Sequence, residues 1–179
     1  MLWRQSCVDH GWQHSRSAGG AFPRLAGLDA HYLAKQMEDY ASGARADGVM
    51  TPISQRLTQA DRQSVALYYA GLPPQAPQVG AAAGADASSI QRGATLYAQG
   101  SAEHGIQACA NCHGPGGRGL NRVYPSIAGQ PPSYVEAQLR RWQAGLRRND
   151  IGDLMGSVAR RMTDGDILAV SAYVAGLAP

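Results

Sequence analysis

Between positions 109 and 113 the chain reads Cys109-Ala110-Asn111-Cys112-His113, and these residue types at this spacing can do covalent chemistry. Two cysteines three apart on a helical turn can each add to one vinyl group of a haem and form a thioether. The adjacent His113 then lies beneath the iron as an axial ligand. Two other chemistries use a close cysteine pair. A redox-active dithiol belongs to a βαβ context, which the helical patterning around Cys109 does not supply. A structural zinc site needs two more Cys or His ligands, and outside the motif the second half of the chain offers only His104. The spacing C-x-x-C-H therefore predicts covalently attached haem.

An iron held by one imidazole takes its sixth ligand from a thioether or a second imidazole. The second half has two methionines, Met155 and Met162, and an internal repeat chooses between them. The run FPRLAG (22–27) recurs as YPSIAG (124–129). At the same offset of 102, Tyr32 matches Tyr134, Gln36 matches Gln138, Tyr40 matches Trp142 and Arg45 matches Arg147. A three-residue insertion moves the offset to 105, where Met50 matches Met155, Asp61 matches Asp166 and Ala70-Gly71-Leu72 matches Ala175-Gly176-Leu177. Met162 is paired with Leu57, so position 162 asks only for an apolar side chain. Met155 is paired with Met50 amid Gly-rich, irregular sequence, and is the expected ligand. Met50 is a ligand only on condition that a haem stands opposite it.

The elements that position these residues read as helices throughout, with no alternating strand pattern. Residues 90–99 form a short helix capped by Ser88 or Ser89, and Ser133 caps the next, which carries Tyr134, Val135, Leu139 and Trp142. Thr163, with Asp164 and Asp166 behind it, opens the last helix. Residues 32–43 and 58–71 repeat the last two helices in the first half. The stretch 73–89, PPQAPQVGAAAGADASS, is a linker rich in Pro, Ala and Gly. The expected organisation is all-α: one module over 1–72, the linker 73–89, and a second module over 90–179. Each module is small enough to need a staple, and a buried cofactor can serve as one.

Fifteen Arg and one Lys give the 179-residue chain a formal charge of +3, a mild basic bias without a dense run. An orienting patch for an acidic redox partner or an anionic membrane surface fits this charge, whereas no nucleic-acid motif accompanies it. No apolar run reaches the length of a membrane span, and residues 1–7 lack the basic and apolar regions of a signal peptide.

Taken together, the second module resembles a class I cytochrome c. It has a helix, then C-x-x-C-H-G at 109–114, a Pro loop, and a Met loop before the last helix. The duplicated form, with (F/Y)P-x-(L/I)AG and a G-x-R turn, is similar to the dihaem cytochromes of the c-four type. That resemblance implies that the Pro125 carbonyl accepts the Nδ1 hydrogen of His113. It also implies that Arg147, and Arg45 in the first module, lie near haem propionates. A fold of two tandem class I modules with haem c follows from it. So does an electron carrier, not an enzyme, in the periplasm, to which haem attachment of this kind normally follows export. Its expected partners are a quinol–cytochrome c reductase, a dehydrogenase or a terminal oxidase, with peripheral membrane association. A haem subunit dedicated to one dehydrogenase or reductase is the alternative, and a ligand-binding sensor or peroxidase-like protein would require Met155 to be off the iron.

The first module departs from the pattern. Counting back twelve residues from Pro23 lands on Gly11, with His10 one residue off, and Cys7 has no partner three residues away. The module keeps Met50, the Pro23 loop and two helices without a matching attachment motif, so it reads as truncated or degenerate. A wrong start or shifted frame before about Arg16, a lost haem, or a haem on His10 or His14 held through fewer thioethers would each account for it.

Overall fold

The computed structural model describes residues 22–74 and 85–179. Cys7, His10, His14 and most of the expected linker lie outside them. Every regular element described is helical. The first module holds α1 (Ala30–Ser42), α2 (Met50–Arg56) and α3 (Gln59–Ala70). The second holds α4 (Ala87–Gln99), α5 (Ala110–His113), α6 (Pro132–Gln143), α7 (Leu154–Ala159) and α8 (Asp164–Ala175).

The second module is built on the crossing of α4 and α8, with α6 packed on α8 and α7. The crossing is close because position 93 lacks a side chain: a Cβ there would stand 2.2 Å from the Ala169 carbonyl oxygen. Beside it the Arg92 guanidinium reaches Asp166 at 2.5 Å. Asp166 is fully buried and also closes a capping box with Thr163, the cap expected from the sequence. Leu96, Tyr97, Ile106, Leu139, Met162, Ile167, Val170 and Val174 form the core, with Met162 the apolar filler its repeat partner Leu57 implied. In the first module, among the described residues, Leu28, Leu33 and Ala66 are buried together.

The repeat is visible in hydrogen bonds. Gly27 N–H donates to Tyr69 O at 3.0 Å, and Gly129 N–H donates to Val174 O at 3.0 Å. Thr58 and Asp61 close the same capping box as Thr163 and Asp166. Two caps expected from the sequence are corrected. Helix α4 starts at Ala87, inside the supposed linker, because Asp86 and not Ser88 or Ser89 accepts from the Ser89 N–H, at 2.7 Å. An ionised carboxylate is the better acceptor at the positive end of a helix. Helix α6 starts at Pro132 without Ser133 as its cap. Proline at the first helical position has its φ preset and no N–H to satisfy.

Replacing Gly93 with Ala should lower stability by roughly 2–3 kcal/mol, since a backbone carbonyl cannot move aside and overpacking outweighs the propensity gain of about 1 kcal/mol. Denaturant unfolding of the variant against the parent protein checks this.

Candidate functional site

Cys109, Cys112 and His113 sit on one tight turn, with His113 N–H donating to Cys109 O at 2.9 Å. Both thiols are half-buried and unpaired, and burial pushes the Cys109 thiol up to about 11. The turn is closed by Gly114 at φ +76°. From α4, the buried Tyr97 hydroxyl donates to the Gly114 carbonyl at 2.5 Å. His113 is 8% exposed, and burial holds its imidazole below the ordinary histidine range, so it is neutral at pH 7. Its Nδ1 lies 2.8 Å from Pro125 O. A carbonyl can only accept, so the hydrogen is on Nδ1 and the Nε2 lone pair is left for another partner. The Pro125 loop is itself held, since Ile127 and Ala128 N–H both donate to Gly117 O at 2.7 and 2.9 Å.

Met155 and Met50 lie in the first turns of short helices, not in open loops as their Gly-rich surroundings suggested. Before Met155 the backbone is irregular: Gly152 and Asp153 adopt φ of +63° and +58°, a region a non-glycine residue rarely visits. Each methionine is met by an aspartate that sequence reasoning had not singled out. Asp150 accepts from Met155 N–H at 2.8 Å, and Asp47 accepts from Met50 N–H at 3.0 Å. Trp142 is half-buried against the core and donates its indole N–H to Asp150 at 3.1 Å.

Arg45 and Arg147 come together between the modules, each 4% exposed. The arrangement is nearly two-fold. Arg45 donates to Gln36 at 2.7 Å in its own module and to Gln138 at 2.8 Å in the other. Arg147 donates to Gln138 at 2.9 Å and, across the interface, to Gln36 at 3.2 Å. Arg45 stacks 4.7 Å above the Tyr40 ring and Arg147 3.9 Å above Trp142. Burial, with Arg45 alongside, pushes the Arg147 guanidinium below its ordinary value. Among the described residues neither arginine makes an ion pair with a carboxylate. Two buried cations with neutral partners fit a group that brings its own negative charge.

The donor set is of the kind haem c takes: two free thiols on one turn, a neutral imidazole with its Nε2 unused, and a thioether on another short helix packed against the same core. No group of three or more Cys, His, Asp or Glu suited to a metal ion occurs among the described residues. Fold and site define a helical c-type haem protein.

Comparison with known proteins agrees. The cytochrome c family pattern matches residues 90–178. The chain is 41% identical over 168 residues to the thiosulfate dehydrogenase electron acceptor of Stutzerimonas stutzeri, spanning 94% of this chain and 76% of that one. Reduced cytochrome c4 of Pseudomonas stutzeri superposes with a TM-score of 0.79 at 30% identity, over 87% of this chain and 85% of that one. A thiosulfate dehydrogenase of Marichromatium purpuratum superposes with a TM-score of 0.78 at 39% identity, over 92% of this chain and 35% of that one. The chain belongs to the cytochrome c family, as an electron carrier akin to the two-module cytochromes c4, and its cofactor is haem c. No helix among the described residues is long and apolar enough to cross a membrane.

Removing the hydroxyl in Tyr97→Phe should cost about 1 kcal/mol, because the buried Gly114 carbonyl loses one of its two donors and keeps only the Gly117 N–H at 3.1 Å. Thermal unfolding of both proteins checks it.

Proposed function

We propose that this protein takes single electrons from a dehydrogenase in the periplasm, with a thiosulfate-oxidising enzyme the best-supported donor, and passes them towards a terminal oxidase. The observation that carries the electron-transfer reading is the buried, neutral His113. Its Nδ1–H is committed to Pro125, which leaves the Nε2 lone pair free to ligate. In this reading Cys109 and Cys112 would hold haem through thioethers, His113 and Met155 would ligate its iron, and Arg147 and Arg45 would bind its propionates. When bound, haem supplies a one-electron couple with no open coordination position.

The chain's own residues set the conditions of transfer. The Pro125 carbonyl fixes the imidazole plane and raises its donor strength. Met155, packed against the core, offers a thioether, which places the potential on the oxidising side. Buried guanidiniums favour the more negative, reduced state of a nearby centre. Met50 takes the same role in the first module where a haem is present opposite it.

Likeness to proteins named as electron acceptors of thiosulfate dehydrogenase supports a dedicated dehydrogenase donor. Likeness to cytochromes c4 supports a second reading, a shuttle between quinol–cytochrome c reductase and oxidase. Stopped-flow reduction of the holoprotein by each donor separates them. We expect faster reduction by thiosulfate dehydrogenase supplied with thiosulfate, and the reverse order would reject the dedicated role.

Met155→Ala should let the ferrous protein bind carbon monoxide while the thioethers stay intact. A difference spectrum checks this, together with the haem mass on the peptide holding Cys109 and Cys112. An unchanged spectrum would remove Met155 from the iron.

A further inference from the structure

We infer that Asp150 is a positioning residue for the sixth ligand, holding the Met155 segment in its ligating arrangement; this rests on Met155 being that ligand. Asp150 uses both carboxylate oxygens. Its Oδ2 accepts from Met155 N–H at 2.8 Å and from Gly156 N–H at 3.5 Å. Its Oδ1 accepts from the Trp142 indole N–H at 3.1 Å. The backbone between Asp150 and Met155 turns sharply, with Gly152 at φ +63° and Asp153 at φ +58°. Gly156 is enclosed as well, since a Cβ there would meet the Asp153 carboxylate at 2.0 Å. A segment with two left-handed residues persists only where its surroundings over-determine it. Asp150 is the side chain that grips both the start of α7 and the body of the module, through Trp142 on α6.

The first module repeats the device independently. Asp47 accepts from Val49 and Met50 N–H, each at 3.0 Å. An aspartate thus meets the backbone N–H of the paired methionine in both copies, although the intervening sequences differ in length and composition. Trp142 also lies 3.9 Å beneath the Arg147 guanidinium, so the grip on Met155 extends to the interface between the modules.

The chemistry of the carboxylate makes a specific test. Asparagine offers one oxygen and one NH2 group. In Asp150→Asn the oxygen can face Met155 N–H, but the amide NH2 then confronts the indole N–H, donor against donor. Trp142→Phe removes that indole donor and keeps an aromatic ring beneath Arg147. The double variant should therefore recover what Asp150→Asn loses.

The measurement uses holoprotein carrying covalent haem. It follows the far-red charge-transfer band from methionine sulfur to ferric iron, and carbon monoxide binding by the ferrous form. Asp150→Ala and Asp150→Asn should raise the methionine-dissociated fraction roughly 10-fold or more, the usual scale for removing a partner of a metal ligand. Adding Trp142→Phe to Asp150→Asn should return most of the band. If the unsubstituted protein lacks the band, Met155 is not the ligand and the premise fails. If it shows the band and both Asp150 variants keep it undiminished, Asp150 does not position the ligand. Should Asp150→Ala not accumulate as holoprotein, the asparagine pair decides, and a double variant no better than Asp150→Asn overturns the inference.

Discussion

The guanidinium groups of Arg45 and Arg147 share one buried layer between the modules, joined through the amide oxygens of Gln36 and Gln138. Taking a cation out of water costs several kcal/mol, and a second cation beside it adds repulsion. Amide oxygens offset part of this, but they bring no charge. The layer fixes how the modules meet. Around it, Lys35 donates to Asn149 O at 2.8 Å, and Arg24 exchanges two hydrogen bonds with Gln130 at 2.8 and 2.9 Å. Each arginine reaches a glutamine on both sides, so a shift of one module against the other would break bonds in both.

From this layer the structure runs outward to the candidate ligands. On one side Arg147 covers Trp142, Trp142 donates to Asp150, and Asp150 holds the Met155 backbone. On the other, Arg45 covers Tyr40, which has no indole N–H to offer. There Asp47 holds Met50 and is approached at 3.7 Å by Arg141 from the second module. The duplicated sequence keeps the aspartate and the methionine but wires them differently. The Asp150 carboxylate is tied to its own α6, whereas the Asp47 carboxylate is approached from the neighbouring module.

What the sequence made legible follows from how each interaction is encoded. Cys109, Cys112 and His113 could be read directly, because two thioethers and an imidazole on one turn leave a fixed local spacing. The repeat made Met155 stand out from Met162, and a buried Met162 agrees with its pairing to Leu57. The G-x-R turn pointed to Arg45 and Arg147, but their joint burial was hidden, since it arises from packing two halves separated by about a hundred residues. Asp47 and Asp150 were missed for a different reason. Each acts on a backbone N–H three to five residues on through an irregular turn, and no periodicity marks that relation. The caps at Ser88, Ser89 and Ser133 were misread because several polar residues and two prolines compete there. A carboxylate and a ring with preset φ then won.

The interface has a second consequence, for folding. The second module encloses a sizeable core in which α4 covers α8. In the first, Leu67 and Tyr68 on α3 are 66% and 61% exposed, while the paired Ala172 on α8 is buried. Among the described residues the first module's core is Leu28, Leu33 and Ala66, and units with small cores hold together through a staple. The polar layer supplies one, because Gln36, Met37 and Tyr40 are buried on α1 beside Arg45. The same contacts thus anchor α1, and through it α2 and α3.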